Sequence, residues 1–149
     1  MKIPTPLFLS NISQKKVYYF KSDKLNTHIP HYFVCLTVGS DGIVLLTCCT
    51  SQFEKRKKFI ETRGLPLSTL VWIKPNEENG FKINSYVDCN SYFDYTLEEL
   101  GQLYETNELE YKGEISDADF NQILIGLKES PLIEESVKDK LPNTNEGDQ

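Results

Sequence analysis

The chain has 149 residues, of which 39% are hydrophobic and 26% charged, the composition of one ordinary globular domain. It contains no run of about 18 apolar residues, which excludes a transmembrane helix at the level of the sequence. The first six residues include two prolines, and no apolar stretch there is long enough for a signal peptide. We therefore expect a cytoplasmic protein without a membrane partner.

The net charge of −6 is distributed unevenly. Residues 1–93 carry twelve of the sixteen Lys and Arg residues and seven of the twenty-two Asp and Glu residues, a net charge of +5. Residues 94–149 carry a net charge of −11. A basic body can bind polyanions despite an acidic average. The acidic end is equally typical of a solvated helical surface, so the charge alone leaves both interpretations open.

Short β-forming segments dominate the first 90 residues. The strongest are 32–38 (YFVCLTV) and 43–49 (IVLLTCC). The intervening Gly39-Ser40-Asp41-Gly42 predicts a β-hairpin turn. Further strand-like segments lie at 17–20, 70–73 and 85–89. Five or six strands at this spacing favour a small, strongly bent antiparallel barrel.

Helical signals follow the strands. Thr96 and Glu99 have the spacing of a capping box, which predicts a short helix. Ser116 precedes a second set of apolar residues at helical spacing, which predicts an amphipathic helix ended by Ser130-Pro131. We expect one domain over 1–141, with a weak further turn near Ile133 and Val137, and a disordered tail over 142–149.

The predicted core combines strand residues with one face of the amphipathic helix. It comprises Val34, Leu36, Val44, Leu46, Val71, Ile73 and Val87, with Phe120 and Leu124 from the helix. The cysteines are Cys35, Cys48, Cys49 and Cys89, and no two of them have C-x-x-C spacing. Each lies in an apolar strand-like run, which predicts a packing role as a small hydrophobic residue.

A basic segment lies between the second long strand and Gly64. Its cations are Lys55, Arg56, Lys57, Lys58 and Arg63. They could neutralise several backbone phosphates, and Phe53 and Phe59 could stack on bases. The segment is compatible with a loop or a single helix. It is also compatible with a solvated surface that two phenylalanines anchor.

The two histidines, His28 and His31, stand three residues apart before the first long strand. No third ligand lies nearby in the sequence, so we predict no metal site and no cofactor. His31 begins one strand, and Thr50 and Ser51 end its antiparallel neighbour. We expect these three side chains at one end of the sheet, with a cation from Arg56 or Arg63 facing them. A histidine there is suited to proton transfer, although such a residue is often structural.

The ordered segments resemble, distantly, the MazF/PemK (Kid-like) toxins of type II toxin–antitoxin modules. The resemblance covers about residues 12–128. It rests on the following segments: 13–19 (SQKKVYY), 31–36 (HYFVCL), 47–51 (TCCTS), 85–90 (SYVDCN) and 111–120 (YKGEISDADF). The third segment contains the Thr-Ser pair of the corresponding family segment, here Thr50 and Ser51. His31, or His28 if the loop is shifted, stands where the family has an arginine.

The resemblance implies an SH3-like barrel with a terminal helix and usually a homodimer. It implies metal-independent cleavage of single-stranded RNA, in which the ribose 2′-hydroxyl attacks the phosphorus, and inhibition by an antitoxin protein. In the family that arginine and the threonine of the Thr-Ser pair carry the reaction, and Thr50 matches the threonine. Together with the residue pattern described above, we expect catalysis by His31, Thr50 and Ser51, and RNA binding by His28 and the cations of the basic segment. Two alternatives stay open: a non-catalytic SH3-like binding module that has lost the family arginine, and a CcdB-like gyrase poison.

Overall fold

The computed structural model describes residues 2–144, which form seven strands and five α-helices. The strands are β1 (Lys16–Phe20), β2 (His31–Val38), β3 (Ile43–Thr50), β4 (Leu70–Ile73), β5 (Ser85–Asp88), β6 (Phe93–Thr96) and β7 (Leu109–Glu114). The helices are α1 (Thr5–Ser10), α2 (Phe53–Thr62), α3 (Leu97–Glu105), α4 (Asp117–Glu129) and α5 (Glu135–Lys138), and a 3₁₀ turn (Leu67–Thr69) precedes β4. Of the tail expected to be disordered, 142–149, residues 145–149 lie outside the described residues.

The strands pair antiparallel in the order β4-β5-β3-β2-β1-β7. One edge of β3 pairs with β2, and the other edge is shared by β6 along residues 43–46 and by β5 at Cys49 and Thr50. The expectation of a mainly β, antiparallel fold is confirmed. Within residues 2–144 no strand pairing joins β4 to β7, so the sheet is open. A backbone hydrogen bond of 2.8 Å from Glu114 N to Glu78 O connects β7 with the loop after β4.

The predicted hairpin joins β2 to β3. Gly39 N donates to the Ile43 carbonyl at 2.8 Å, and the Asp41 carboxylate accepts from Ile43 N at 3.0 Å. Gly42 has φ +82°, a conformation that glycine adopts without the steric cost that a Cβ would bring. The register between the strands shifts at Cys35–Thr37, and such bulges increase the local bend and twist of a sheet.

The sheet separates two apolar clusters. Val34 and Leu36 face a cluster that α4 covers with Phe120, Ile123 and Leu124. Leu46 belongs to the other cluster, which α1 and α3 cover. All nine residues predicted for the core are buried. Cys35, Cys49 and Cys89 are also buried, and Cys48 is half-buried, in agreement with the packing role predicted for the cysteines.

The helix termini follow the predicted caps. Thr96 accepts from Glu99 N while the Glu99 carboxylate accepts from Thr96 N, and Ser116 accepts from Asp119 N. Residues 53–62 form a helix, which resolves the alternative left open for the basic segment. The longest described helix has 13 residues, and none between residues 2 and 144 is long and apolar enough to cross a bilayer.

Three elements have no counterpart in the sequence prediction. Helix α1 has six residues, of which only Phe8 is fully buried, and a pattern this short does not identify a helix from the sequence. Strand β7 is a strand of mixed burial that carries Glu110, Lys112 and Glu114, and β6 spans only four residues. The two strands form because β1 and β3 supply pairing partners, and α1 packs against α3.

The core predicts the cost of a cavity in β3. Leu46 is 1% exposed, and Leu46→Ala should lower the free energy of unfolding by about 2–5 kcal/mol, because truncation removes buried methyl groups and leaves a void. Urea unfolding followed by circular dichroism measures this change. Leu132→Ala is the matched control, since Leu132 is 50% exposed. A loss below about 0.5 kcal/mol for Leu46→Ala would contradict the assigned packing.

Candidate functional site

A cavity of about 690 Å³ lies at the end of the β2–β3 hairpin remote from its turn. Most of the residues around it come from the loop before β2, the start of β2, the end of β3, the start of α2 and β5, and Tyr19 of β1 and Phe93 of β6 also line it. We call it the hairpin cleft. Among its lining residues are His31, Thr50, Ser51, Gln52, Lys55 and Arg56.

Strand register explains why these side chains meet. Phe33 is the Cα partner of Cys48, and the same antiparallel register continued by two residues sets His31 opposite Thr50. Helix α2 begins at Phe53, three residues beyond the end of β3, so its first turns rise beside the same strand ends. The structure therefore brings together His31, Thr50 and Ser51, as the sequence predicts, and places Arg56, one of the two arginines expected to face them, in the same cleft.

The His31 ring is oriented by its own loop. Its Nδ1 lies 3.1 Å from the Ile29 carbonyl oxygen. A carbonyl oxygen only accepts hydrogen bonds, so in this contact Nδ1 carries the proton. In the neutral imidazole Nε2 is then the acceptor nitrogen, the form in which histidine can take a proton.

The two hydroxyl residues form the turn that leads into α2. Thr50 Oγ1 accepts from Gln52 N at 3.1 Å, and the Ser51 carbonyl accepts from Phe53 N at 3.1 Å. The first contact fixes the Thr50 oxygen and leaves its O–H to donate. Ser51 is exposed, so its hydroxyl is accessible to a ligand in the cleft.

Arg56 is held at the cleft by an ion pair. Its Nη1 lies 3.4 Å from Asp88 Oδ2 at the end of β5. The Asp88 side chain is only 13% exposed, and its other oxygen accepts from Asn90 N and Asn90 Nδ2 at 3.0 and 2.9 Å. Asn90 is buried in turn and accepts from Ser130 Oγ at 2.6 Å. This chain of contacts ties the position of the guanidinium to the end of α4.

Of the other predicted cations, Lys55 also lines the hairpin cleft, whereas Lys57, Lys58 and Arg63 do not. A smaller pocket of about 400 Å³ is lined by Lys55, Arg56, Lys58, Phe59, Thr62 and Arg63. There the Arg63 guanidinium carbon lies 4.6 Å from the centre of the Phe59 ring. Lys57 instead lies 5.8 Å from the centre of the Phe53 ring. Of the two arginines expected to face His31, Arg56 lines the hairpin cleft and Arg63 does not.

His28 lies outside this arrangement. It is exposed in the loop before β2 and is not among the residues that line the hairpin cleft. The three-residue spacing of the histidines therefore does not bring both rings into one cavity. Of the two, His31 is in position to act on a ligand bound there.

Sequence reasoning missed several cleft residues. Asp88 and Cys48 line it, as does Tyr19 from β1, whose ring centre lies 4.7 Å from that of Tyr32. Asp88 falls within the strand quoted for the family resemblance, but nothing in its local sequence identifies Arg56, 32 residues away, as its partner. Only the pairing of β5 with β3 shows that the two meet.

Burial sets the protonation of the two cysteines that line the cleft, Cys48 and Cys49. Desolvation raises the pKa of the Cys48 thiol to about 12, although the nearby Arg56 guanidinium opposes that shift. Burial raises the pKa of Cys35 to about 12 and that of Cys49 well above its ordinary range. These thiols stay protonated at neutral pH, which does not suit them to nucleophilic chemistry.

Side chains that could ligate a metal ion do not cluster within residues 2–144. In that range no group of three or more His, Cys, Asp or Glu side chains is arranged to hold such an ion. A comparison of the sequence with models of known protein families gives no match, and neither does a comparison with curated proteins. The interpretation of the cleft therefore depends on its own geometry and on the resemblance described above.

The raised pKa predicts slow alkylation of Cys48. Near neutral pH we expect iodoacetamide to modify it about 100-fold or more slowly than in the urea-unfolded chain, because so little thiolate is present. The rate should go on rising above pH 9, where an ordinary thiol approaches its plateau. Fragment mass spectrometry distinguishes Cys48 from Cys49. A Ser40→Cys variant, at the exposed hairpin turn, supplies the unhindered reference. Equal rates at the two positions would contradict the assigned environment.

Proposed function

We propose that the protein is an endoribonuclease that cleaves single-stranded RNA without a metal ion, in the manner of the MazF/PemK-like toxins. The observation that carries this proposal is the convergence of His31, Thr50, Ser51 and Arg56 in one cleft beside a cationic helix. Cleavage of a phosphodiester by its own 2′-hydroxyl needs a proton acceptor and groups that stabilise charge on the phosphate. The cleft contains residue types suited to both tasks.

Each residue has a defined role in this reaction. His31 Nε2 takes the proton of the ribose 2′-hydroxyl while O2′ bonds to the phosphorus. The bond from phosphorus to O5′ breaks, a 2′,3′-cyclic phosphate remains, and the leaving 5′-oxygen takes a proton from water. Thr50 and Ser51 donate hydrogen bonds to the non-bridging oxygens, and Arg56 supplies a positive charge beside them.

The finer fold assignment belongs to the same proposal. We assign the bent sheet to the SH3-like barrel. The bulges in β2–β3 and β1–β7 support this, because they bend the strands, and so does the Glu114–Glu78 hydrogen bond that brings β7 to the loop after β4. The resemblance further supplies a homodimer and an antitoxin protein as inhibitor, and the cytoplasmic setting expected from the sequence is part of the same proposal.

One observation favours a second function, RNA binding without cleavage. His31 replaces the arginine of the family, and Arg56, which lines the hairpin cleft, is already paired with Asp88. A guanidinium engaged by a carboxylate has fewer N–H groups for a phosphate than a free one. In this alternative the cleft and α2 would hold the strand, and no bond would break.

The proposed chemistry predicts the effect of single substitutions. His31→Ala should lower the cleavage rate of a labelled single-stranded RNA by about 10²–10⁴-fold, because general acid–base catalysis is typically worth that much. Thr50→Ala should also lower it, because the variant lacks a hydrogen-bond donor to the phosphate. Thr106→Ala, an exposed threonine at the end of α3, is the matched control. EDTA should leave the wild-type rate unchanged.

The same assay discriminates between the two histidines and between the two functions. His28→Ala should keep most of the rate, since its ring lies outside the cleft. Full activity in His31→Ala would reject the site, and inhibition by EDTA would reject the mechanism. If the wild type neither cleaves RNA nor arrests growth when expressed, the binding function replaces the catalytic one.

The cations of α2 predict a salt dependence. The double variant Lys55→Ala/Lys58→Ala should bind single-stranded RNA more weakly. The slope of log Kd against log salt should fall by about 1.4, because each single-strand phosphate that a lysine neutralises contributes about 0.7 to it. Lys128→Ala/Lys140→Ala removes the same charge at the far end of the chain and should change neither quantity. Fluorescence anisotropy at several salt concentrations measures both. Equal slopes for the wild type and the Lys55→Ala/Lys58→Ala variant would show that these α2 lysines are a solvated surface and do not contact RNA.

A further inference from the structure

Three residues form a row across the outer face of the sheet beside the hairpin cleft. Trp72 on β4 is the Cα partner of Tyr86 on β5, and Tyr86 is the Cα partner of Thr50 on β3. Their strand neighbours Val71, Ile73 and Val87 are buried, so the alternation of a strand directs the row away from the core. The row therefore leads from the cleft to the edge of the sheet.

Two of the three residues, Trp72 and Tyr86, are aromatic, and the row is open to solvent at Trp72. Trp72 is 52% exposed, and the centre of the Phe53 ring lies 4.8 Å from that of Tyr86. Neighbouring strands are about 4.8 Å apart, so Trp72 stands two strand spacings, about 10 Å, from Thr50. We use the name aromatic row for Trp72, Tyr86 and Phe53, in which Phe53, packed on Tyr86, takes the place of Thr50.

Cations accompany the aromatic row. Lys74 Nζ lies 5.5 Å from the centre of the Trp72 ring, and Lys57 Nζ lies 5.8 Å from the centre of the Phe53 ring. Arg56 follows one turn after Phe53 and neutralises Asp88, the carboxylate at the end of β5. Rings that can stack on bases thus lie beside ammonium groups that can pair with phosphates, which is the pattern of single-strand binding surfaces.

We propose that the aromatic row is a base-stacking platform that holds the single-stranded RNA next to the cleaved bond. This inference rests on the proposed function, since it assigns to that reaction the subsite for neighbouring nucleotides. Binding of an apolar protein partner would need only the exposed rings and no cations beside them. The lysines beside two of them favour a polyanion that presents flat faces, and a single nucleic-acid strand meets both requirements.

The chain contains its own probe for this contact, because Trp72 is its only tryptophan. A single strand of about 12 nucleotides, within the usual site sizes, is made with 2′-fluoro sugars so that it cannot be cleaved. A strand of equal length without bases is the electrostatic control. We expect the strand with bases to quench the tryptophan fluorescence and the abasic strand to leave it unchanged.

Substitution tests the energetic role of the ring. Trp72→Ala should weaken binding of the 2′-fluoro strand by about 5- to 100-fold, whereas Trp72→Phe should keep it within about threefold, because stacking needs a ring of any kind. Tyr111→Ala removes an equally exposed ring from β7, at the other end of the strand order, and should have no effect. Thermal unfolding of each variant verifies that the fold is retained.

The outcomes separate the platform from the reaction. Cleavage by the wild type together with unchanged binding in Trp72→Ala would overturn the platform and leave the proposed function intact. Base-dependent quenching and weakened binding in Trp72→Ala, without cleavage, would support the platform and reject the nuclease. If Trp72→Ala abolishes self-association in sedimentation and RNA causes no quenching, the row is an interface between copies and the proposal fails.

Discussion

The antiparallel register of β2 and β3 is the constraint on which the rest of the molecule depends. Because the side-chain period of a strand is two, a slip of one residue would move Leu46 out of its cluster and carry Thr50 to the opposite face. The hairpin turn at Gly42 and the burial of both strands fix this register. The positions of β5 and β6 then follow from that of β3, because both strands pair with the other edge of β3. Core and cleft are therefore specified by one alignment of two strands.

A buried polar chain provides the second level of order. Asn90 contacts Asp88, Thr69 and Ser130, and so joins the end of β5, the 3₁₀ turn and the end of α4. Buried polar groups are costly when they lose a partner, so this chain is stable only if all of its members stay in place. Arg56 attaches to it from the solvent side. Arg56 at the cleft is thereby coupled to α4, the helix that packs on the cluster containing Val34 and Leu36.

Local signals account for what could be predicted from the sequence. The hairpin turn and the caps at Thr96 and Ser116 are each determined by a few neighbouring residues. The apolar runs identify the core. The meeting of His31 with Thr50 follows from the hairpin as well, because the two residues mark the start and the end of paired strands. These features need no knowledge of the wider topology.

Long-range pairing accounts for what could not be predicted. β7 has a mixed burial pattern, with only Leu109 and Gly113 buried, and it forms a strand because β1 pairs with it. The partnership of Arg56 with Asp88 and the alignment of Trp72 with Tyr86 arise only once β5 has found β3 and β4. The separation of Arg63 from the cleft depends on the direction in which α2 leaves the sheet.

The two ends of the open sheet carry a consequence for self-association. β4 has four residues and is followed by Lys74 and Pro75, and a proline cannot donate to a new neighbouring strand. β7 presents the charges of Glu110, Lys112 and Glu114. Short, charged and proline-bounded edges resist extension by a second chain and so protect against aggregation. A dimer of this protein would accordingly form through its side-chain surfaces, and a continuous intermolecular sheet is disfavoured.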